Sequence, residues 1–295
     1  MRRSIFFVLF LLLPNPIFAY SDFVTAQSYL LIDNDSLQII EGKDFEKRLP
    51  PASTTKVVTA LIALDRLSGN EFITPPRDIL SIPPSKMGLR PGKKYRAIDL
   101  IKGMLIKSAN DAAYAIACHI GGNEERFSEL MNEKVREIGA RNSNFRNASG
   151  LYDPDQYTTC YDLALIFRYA LKSHRFREIL STRYFDFKDG KRVVRFQNHD
   201  RFLFCFGPAI GGKTGFTRAS RHSYVGAFEK DGKIYILSML GSEDLWGDAL
   251  CILRNLFEEV PKNKEIENAK AKDVMLTSYK KKKAKARNIS KRKIK

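Results

Sequence analysis

The stretch "RLPPASTTKVVTALIALDRLSGN", residues 48–70, decides how the rest of the chain is read. A polar entry, "STT", gives way to apolar residues at helical spacing. That pattern predicts a helix over residues 53–67, stopped by Ser68-Gly69-Asn70. Ser53 stands at its start, and Lys56 follows one turn later on the same face. The bland account is a serine cap beside a surface charge. Against it, Lys56 lies within "TTKVVTALIAL", where a lysine is costly to bury unless it is used. A desolvated lysine loses its proton more easily and then serves as base to a nearby hydroxyl. A serine at a helix N-terminus also gains the positive end of the dipole, which steadies developing negative charge. The pattern S-x-x-K recurs at Ser278–Lys281 and Ser290–Lys293, so alone it is weak.

Two further motifs give it weight. Of two S-x-N matches, Ser68-Gly69-Asn70 lies at the far end of the same helix, roughly 22 Å from Ser53 at ~1.5 Å per residue. Ser108-Ala109-Asn110 follows the apolar "DLIKGMLIK" and precedes a new helix. It therefore sits in a connection that can fold back on Ser53, although a plain N-cap for "NDAAYAIA" is the competing account. Lys213-Thr214-Gly215 lies in "GPAIGGKTGFTRASRHSYVGAF". One reading is a glycine-rich turn into a strand. The other is a strand edge where Lys213 and Thr214 face an anionic substrate end and Gly215 admits the substrate backbone. S-x-x-K, then S-x-N 55 residues on, then K-T-G 105 residues further form an ordered set. That set is a signature of penicillin-binding proteins and serine β-lactamases.

Around these motifs the pattern is mixed. "AQSYLLID" and "SLQIIEGKD" read as strands around Asp33-Asn34-Asp35, and "HSYVGAFE" and "KIYILSMLG" as strands around Lys230-Asp231-Gly232. Helical periodicity marks "DAAYAIACHIG", "NEERFSELMNEKVREIG", "YDLALIFRYAL" and "DALCILRNLFEEV". Hairpins at both ends with helices between predict an α+β fold, one antiparallel sheet flanked by helices with a helical subdomain.

Composition sets limits. Arg2 and Arg3, the apolar run 5–13 and Ala19 read as a signal peptide over residues 1–19, so export is expected, with an uncleaved anchor as the alternative. The four cysteines permit disulfides without requiring them. No CxxC pair or Cys/His spacing suggests a metal, and no cofactor is expected. The net charge of +17 is concentrated in residues 262–295, with 14 Lys+Arg against 3 Asp+Glu. A basic globular face, and with it a nucleic-acid partner, is not implied. The expected organisation is a catalytic domain over 20–261 and a basic, disordered tail over 262–295.

The chain resembles the low-molecular-mass penicillin-binding proteins, the serine-type D-alanyl-D-alanine carboxypeptidases. The resemblance rests on "PASTTKVVTALIAL", "LIKSANDAAYAIA", "NASGLYDPDQYTTCYDLALI" and "GGKTGFTRASRHSYVGAF", and spans about residues 26–260. It implies the α/β sandwich of serine β-lactamases and DD-peptidases. It implies Ser53 as the acylated nucleophile, Lys56 as its base and Ser108 as the proton relay to the leaving D-alanine. Asn110 would hold the substrate amide, and Lys213 and Thr214 the terminal carboxylate, beside Gly215. The backbone N–H groups of Ser53 and Phe216 would form the oxyanion hole. Implied partners are a peptidoglycan stem peptide ending in D-Ala-D-Ala, and β-lactams. The tail would add an anionic membrane surface or envelope polymer. Implied location is the periplasm or cell envelope, peripheral at the membrane.

The sequence departs from the family pattern at three places. Ala109 replaces a common glycine, and Phe216 a common histidine. "GSEDLWGDAL" lacks the arginine that many relatives carry near the start of the last helix, with Arg218 and Arg221 as candidate substitutes. The rival enzyme is a class A-type β-lactamase, which needs a glutamate in the loop that here reads "GLYDPDQYTT" and holds only Asp153 and Asp155. The non-enzymatic rival is a peptidoglycan- or polyanion-binding protein.

Overall fold

The computed structural model describes residues 24–277. The expected signal peptide, and the tail beyond residue 277, lie outside the described residues. Strands β1 (Ser28–Asp33) and β2 (Ile39–Lys43) are followed by a 3-10 turn at Ala52–Thr55 and then α1 (Lys56–Arg66). The short strands β3 (Phe72–Ile73) and β4 (Tyr95–Arg96) precede helices α2 (Ala97–Ile106), α3 (Asn110–Gly121), α4 (Glu124–Ile138), α5 (Cys160–Leu171) and α6 (His174–Leu180). A hairpin of β5 (Tyr184–Asp189) and β6 (Arg192–Gln197) comes next, then the one-turn α7 (Phe202–Cys205). Strands β7 (Ala209–Thr217), β8 (Arg221–Lys230) and β9 (Lys233–Ser242) follow. Helices α8 (Leu245–Leu253) and α9 (Asn263–Asn268) and strand β10 (Val274–Thr277) end the described chain.

The main sheet has the order β2-β1-β9-β8-β7, with every neighbouring pair antiparallel. Its inner strands are apolar on both faces, because both faces are covered. Leu30, Ile32, Val225, Ala227, Ile236 and Leu240 point into one core with α1 to α6. Their sequence neighbours Tyr29, Leu31, Tyr224, Phe228, Leu237 and Met239 point into a second core with α7, α8 and α9. The period of two along each strand thus feeds two layers at once. The expected α+β sandwich is what forms, with β7 at one edge of the sheet and β2 at the other.

Helix α1 runs through the middle of the first core. Every residue from Lys56 to Ala63 is buried, so the helix is apolar all round rather than on one stripe. Each fully buried Val, Leu or Ile there contributes about 1.5–3 kcal/mol over an exposed position. The expected helix start needs correction. Ser53 belongs to the 3-10 turn and its side chain caps nothing, and the α-helix begins at Lys56. The tighter turn still sets Ser53 and Lys56 side by side.

The expected boundary at 261 also needs correction. Helix α9 buries Ile266, Ala269 just after it is also buried, and β10 pairs antiparallel with β6. Lys107 and Asp273 form an ion pair at 2.7 Å that ties this segment to α2. Composition alone suggested disorder because the segment has few apolar residues. Two buried anchors and a free edge on β6 are enough to dock it. None of the four cysteines is in a disulfide. Among the described residues, no helix is long and apolar enough to cross a membrane.

Candidate active site

The site is built where the turn before α1, the turn before α3 and the edge strand β7 meet. Ala52, just ahead of Ser53, adopts φ +49°, an unfavourable value for a residue with a Cβ. Gly150, at φ +80°, closes over it. A Cβ on Gly150 would lie 1.8 Å from the Ala52 carbonyl oxygen, so only glycine fits. From the other side, a Cβ on Gly215 would lie 2.3 Å from Ser223 Oγ and 2.8 Å from the Ser53 backbone nitrogen. Gly215 is therefore needed for β7 to pack against the serine turn itself. That is a different reason from the substrate approach expected from sequence.

Ser53 Oγ lies 2.9 Å from Lys56 Nζ and 3.4 Å from the Ser149 carbonyl oxygen. Lys56 Nζ also donates to Asn110 Oδ1 at 2.7 Å and to the Ser149 carbonyl at 2.5 Å. Lys56 is fully buried, with no carboxylate in ion-pair contact among the described residues. Burial first, and then the like charge of Lys213, hold its ammonium well below the usual lysine range, with Asp111 and Glu124 opposing. Once deprotonated, that amine has a lone pair in reach of the Ser53 hydroxyl.

Ser108 sits at φ +60° in the turn between α2 and α3. Its hydroxyl accepts a hydrogen bond from Lys213 Nζ at 3.0 Å. Lys213 Nζ also donates to the Thr214 carbonyl at 2.6 Å. Lys213 is buried behind these two residues and does not itself line the cleft. Burial pulls its pKa down to about 7, against the attraction of Asp200. Asn110 bridges the two turns. Its Nδ2 donates to the carbonyls of Pro83 (3.2 Å) and Pro84 (3.0 Å), while Oδ1 receives Lys56. Both amide protons are thus committed, and holding a substrate carbonyl requires releasing one of them.

The cleft in front of these groups has a volume of about 410 Å³. Ser53, Ser108, Asn110, Thr214, Gly215 and Phe216 all line it. Phe216 is exposed at the rim, its ring 4.6 Å from that of His222. Among the described residues, no carboxylate lines the cleft. Asp153 and Asp155 are absent from its wall, and Asp153 instead accepts the backbone N–H of Asp155 in a local turn. Arg218 is exposed on the turn after β7, and Arg221 pairs with Glu243, so neither candidate arginine reaches the wall.

Several groups at the site were not singled out from sequence. The Ser149 carbonyl holds Lys56, and Asn147 shapes the loop that presents it. Asn147 Oδ1 accepts the backbone N–H groups of Gly150 (2.7 Å) and Leu151 (3.1 Å). The only sequence signal was "NASG", a turn-forming composition that marks a loop without saying what it touches. His199, Arg201 and Trp246 also line the cleft. Burial and the nearby lysines push the His199 pKa down to about 3, so its imidazole is neutral.

A buried lysine against a serine at the head of a buried helix, with a second serine and a second lysine opposite, defines a serine acyl-transfer enzyme of the penicillin-recognising fold. Comparison with known proteins agrees. The D-alanyl-D-alanine carboxypeptidase family (Peptidase_S11) matches residues 17–244. D-alanyl-D-alanine carboxypeptidase DacB2 of Mycobacterium tuberculosis is 35% identical over 219 residues, which cover 73% of this chain and 74% of that protein. DacF of Bacillus subtilis is 29% identical over 224 residues, but the match spans only 57% of its length. Among solved structures, a D-alanyl-D-alanine carboxypeptidase from M. tuberculosis superposes with TM-score 0.75 at 32% identity, covering 81% of this chain and 93% of that one. A variant of a Streptomyces DD-transpeptidase superposes with TM-score 0.73 at 25% identity, covering 80% and 99%. The chain belongs to the D-alanyl-D-alanine carboxypeptidase family and is a serine-type carboxypeptidase of that family.

Proposed function

We propose that this enzyme removes the terminal D-alanine from peptidoglycan stem pentapeptides through an acyl-enzyme on Ser53. The observation that carries the reading is the fully buried Lys56, with Nζ 2.9 Å from Ser53 Oγ and its proton held weakly. Neutral Lys56 takes the hydroxyl proton as Ser53 Oγ attacks the carbonyl of the penultimate D-alanine. The backbone N–H groups of Ser53 and Phe216 receive the developing oxyanion. Ser108, linked to Lys213, passes its proton to the departing amine as the C–N bond breaks, and the proton that Lys56 took from Ser53 replaces it, leaving Lys56 neutral again. Water then hydrolyses the ester and frees Ser53. Lys213, through Ser108 and Thr214, supplies positive charge at the end of the cleft where the product's carboxylate lies.

β-Lactams acylate the same serine. Their ester is expected to clear slowly, because among the described residues no carboxylate on the cleft wall stands ready to activate water for it. This is the observation against a class A-type β-lactamase. The intact Ser53–Lys56 pair is the observation against a purely binding role. An exported enzyme at the cell envelope fits the substrate. The basic residues beyond 277 would hold it near an anionic membrane or envelope polymer, through attraction that salt screens.

Mass spectrometry of a pentapeptide ending in D-Ala-D-Ala tests the reaction. A product shorter by one alanine is expected, together with a slowly clearing fluorescent-penicillin band that Ser53→Ala abolishes. An unchanged pentapeptide, or labelling that survives Ser53→Ala, overturns the reading.

A further inference from the structure

The cleft needs a second positive group, and the structure supplies one from an unexpected element. Lys213 is set back from the wall and is only about half protonated near neutrality. Four other basic side chains line the cleft: His199, Arg201, His222 and Lys270. His199 is neutral, and burial holds His222 below the ordinary histidine value. Lys270 is exposed, and its charge is shared with water. Arg201 is partly buried and makes no ion pair among the described residues.

Arg201 is also held in place. Its guanidinium carbon lies 5.2 Å over the ring of Trp246, in the first turn of α8. Its Nη1 donates to the Ile266 carbonyl of α9 at 3.4 Å. The Trp246 ring is itself fixed edge-on against Phe202 (5.3 Å) and Tyr224 (6.0 Å). Tyr224 is the register partner of Thr214, so this aromatic platform lies next to the strand segment that carries the K-T-G motif. A guanidinium offers five donors, and one of them goes to Ile266. The segment at the start of α8 contains no arginine of its own.

We propose that Arg201, stacked on Trp246, is the second anchor for the carboxylate at the end of the substrate, and that Trp246 is its positioning residue. A planar fork of donors matches a carboxylate with two parallel hydrogen bonds, and the aromatic face fixes the fork without neutralising it. The anchor makes the enzyme selective for peptides with a free C-terminus. The proposal rests on the carboxypeptidase reading above.

The test compares acetyl-Lys-D-Ala-D-Ala with its C-terminal amide. Arg201→Gln is expected to lower kcat/KM for the acid by about 10- to 100-fold, the loss of one charged hydrogen-bonding group, and to lower that for the amide far less. Arg201→Lys should recover part of the preference. Trp246→Ala should raise KM for the acid more than it lowers kcat, and Trp246→Phe should restore it. Lys270→Gln should leave the acid-to-amide ratio in place. Equal losses on both peptides in Arg201→Gln, or a ratio that collapses in Lys270→Gln instead, overturn the assignment. NMR titration of the acid peptide into Ser53→Ala protein, with and without Arg201→Gln, reads the anchor without turnover. Arg201-dependent binding with no D-alanine released by the wild type would overturn the activity and leave the anchor standing. Unchanged binding overturns the anchor alone.

Discussion

In the proposed mechanism Lys56 must be neutral to take the proton of Ser53, whereas Lys213 must be charged to attract an anion. These demands set a pH window. Lys56 is held well below the ordinary lysine value, so kcat/KM is expected to rise with pH along an acid limb as its proton leaves. Lys213 loses its charge around pH 7, so an alkaline limb should follow there for substrates with a free carboxylate and fade for amide-ended ones. A profile with no alkaline limb near neutrality would contradict the role of Lys213. Lys56→Arg keeps the charge but cannot accept a proton, so acylation by penicillin should fall at least ~100-fold. The same lysines burden stability. The folded-state pKa of Lys213 lies below its unfolded value near 10.5, so between about pH 7 and 10 the unfolded chain binds a proton that the folded one lacks. Folding stability should therefore rise with pH across that window. Lys213→Met should flatten the rise and increase stability at pH 7 by a few kcal/mol, while impairing binding, as measured by urea denaturation.

At the scale of elements, the proposed nucleophile Ser53 is held by two close backbone contacts rather than by a helix cap. Gly150 and Gly215 clamp the Ala52–Thr55 turn from opposite sides. Gly150→Ala would drive a Cβ into the Ala52 carbonyl at a backbone angle that disfavours it. A loss of about 2–5 kcal/mol is expected, with acylation falling as the turn shifts. Gly139, which ends α4 at φ +96°, has nothing within 4 Å of an added Cβ. Gly139→Ala should cost only about 1 kcal/mol and leave acylation unchanged. Equal losses in denaturation midpoint for the two variants would show that the clamp is not what matters at Gly150.

For the whole molecule, the stretch after Pro261 is divided in function. Residues 262–277 belong to the folded body, and Lys270 and Ala271 line the cleft. Truncation after Pro261 removes buried Ile266 and Ala269 and the Lys107–Asp273 pair. It should lower Tm by several degrees and weaken turnover. Truncation after Thr277 removes 10 Lys+Arg. It should leave Tm and hydrolysis of small peptides unchanged while abolishing salt-sensitive sedimentation with anionic vesicles. Equal vesicle binding by the full chain and the chain ending at Thr277 would remove the tail from any anchoring role.

The sequence by itself determined the α+β class and the two long hairpins. It also singled out Ser53, Lys56, Ser108, Asn110, Lys213 and Thr214, which the structure gathers around one cleft. Those features rest on periodicity and on spacing along the chain, which are local, and on motifs whose order survives in the sequence. The hairpin of β5 and β6 was not visible in the same way, because its strands carry basic residues among short apolar steps. Only the tertiary structure decided what surrounds the motif residues. It placed the Ser149 carbonyl on Lys56, committed the Asn110 amide to Pro83 and Pro84, set Lys213 behind the wall, and brought Arg201 over Trp246. It also docked α9 and β10 onto a body from which their composition had excluded them. Each of these is a meeting of residues separated by 26 or more positions. Such contacts follow from packing geometry, and composition and periodicity carry no record of them.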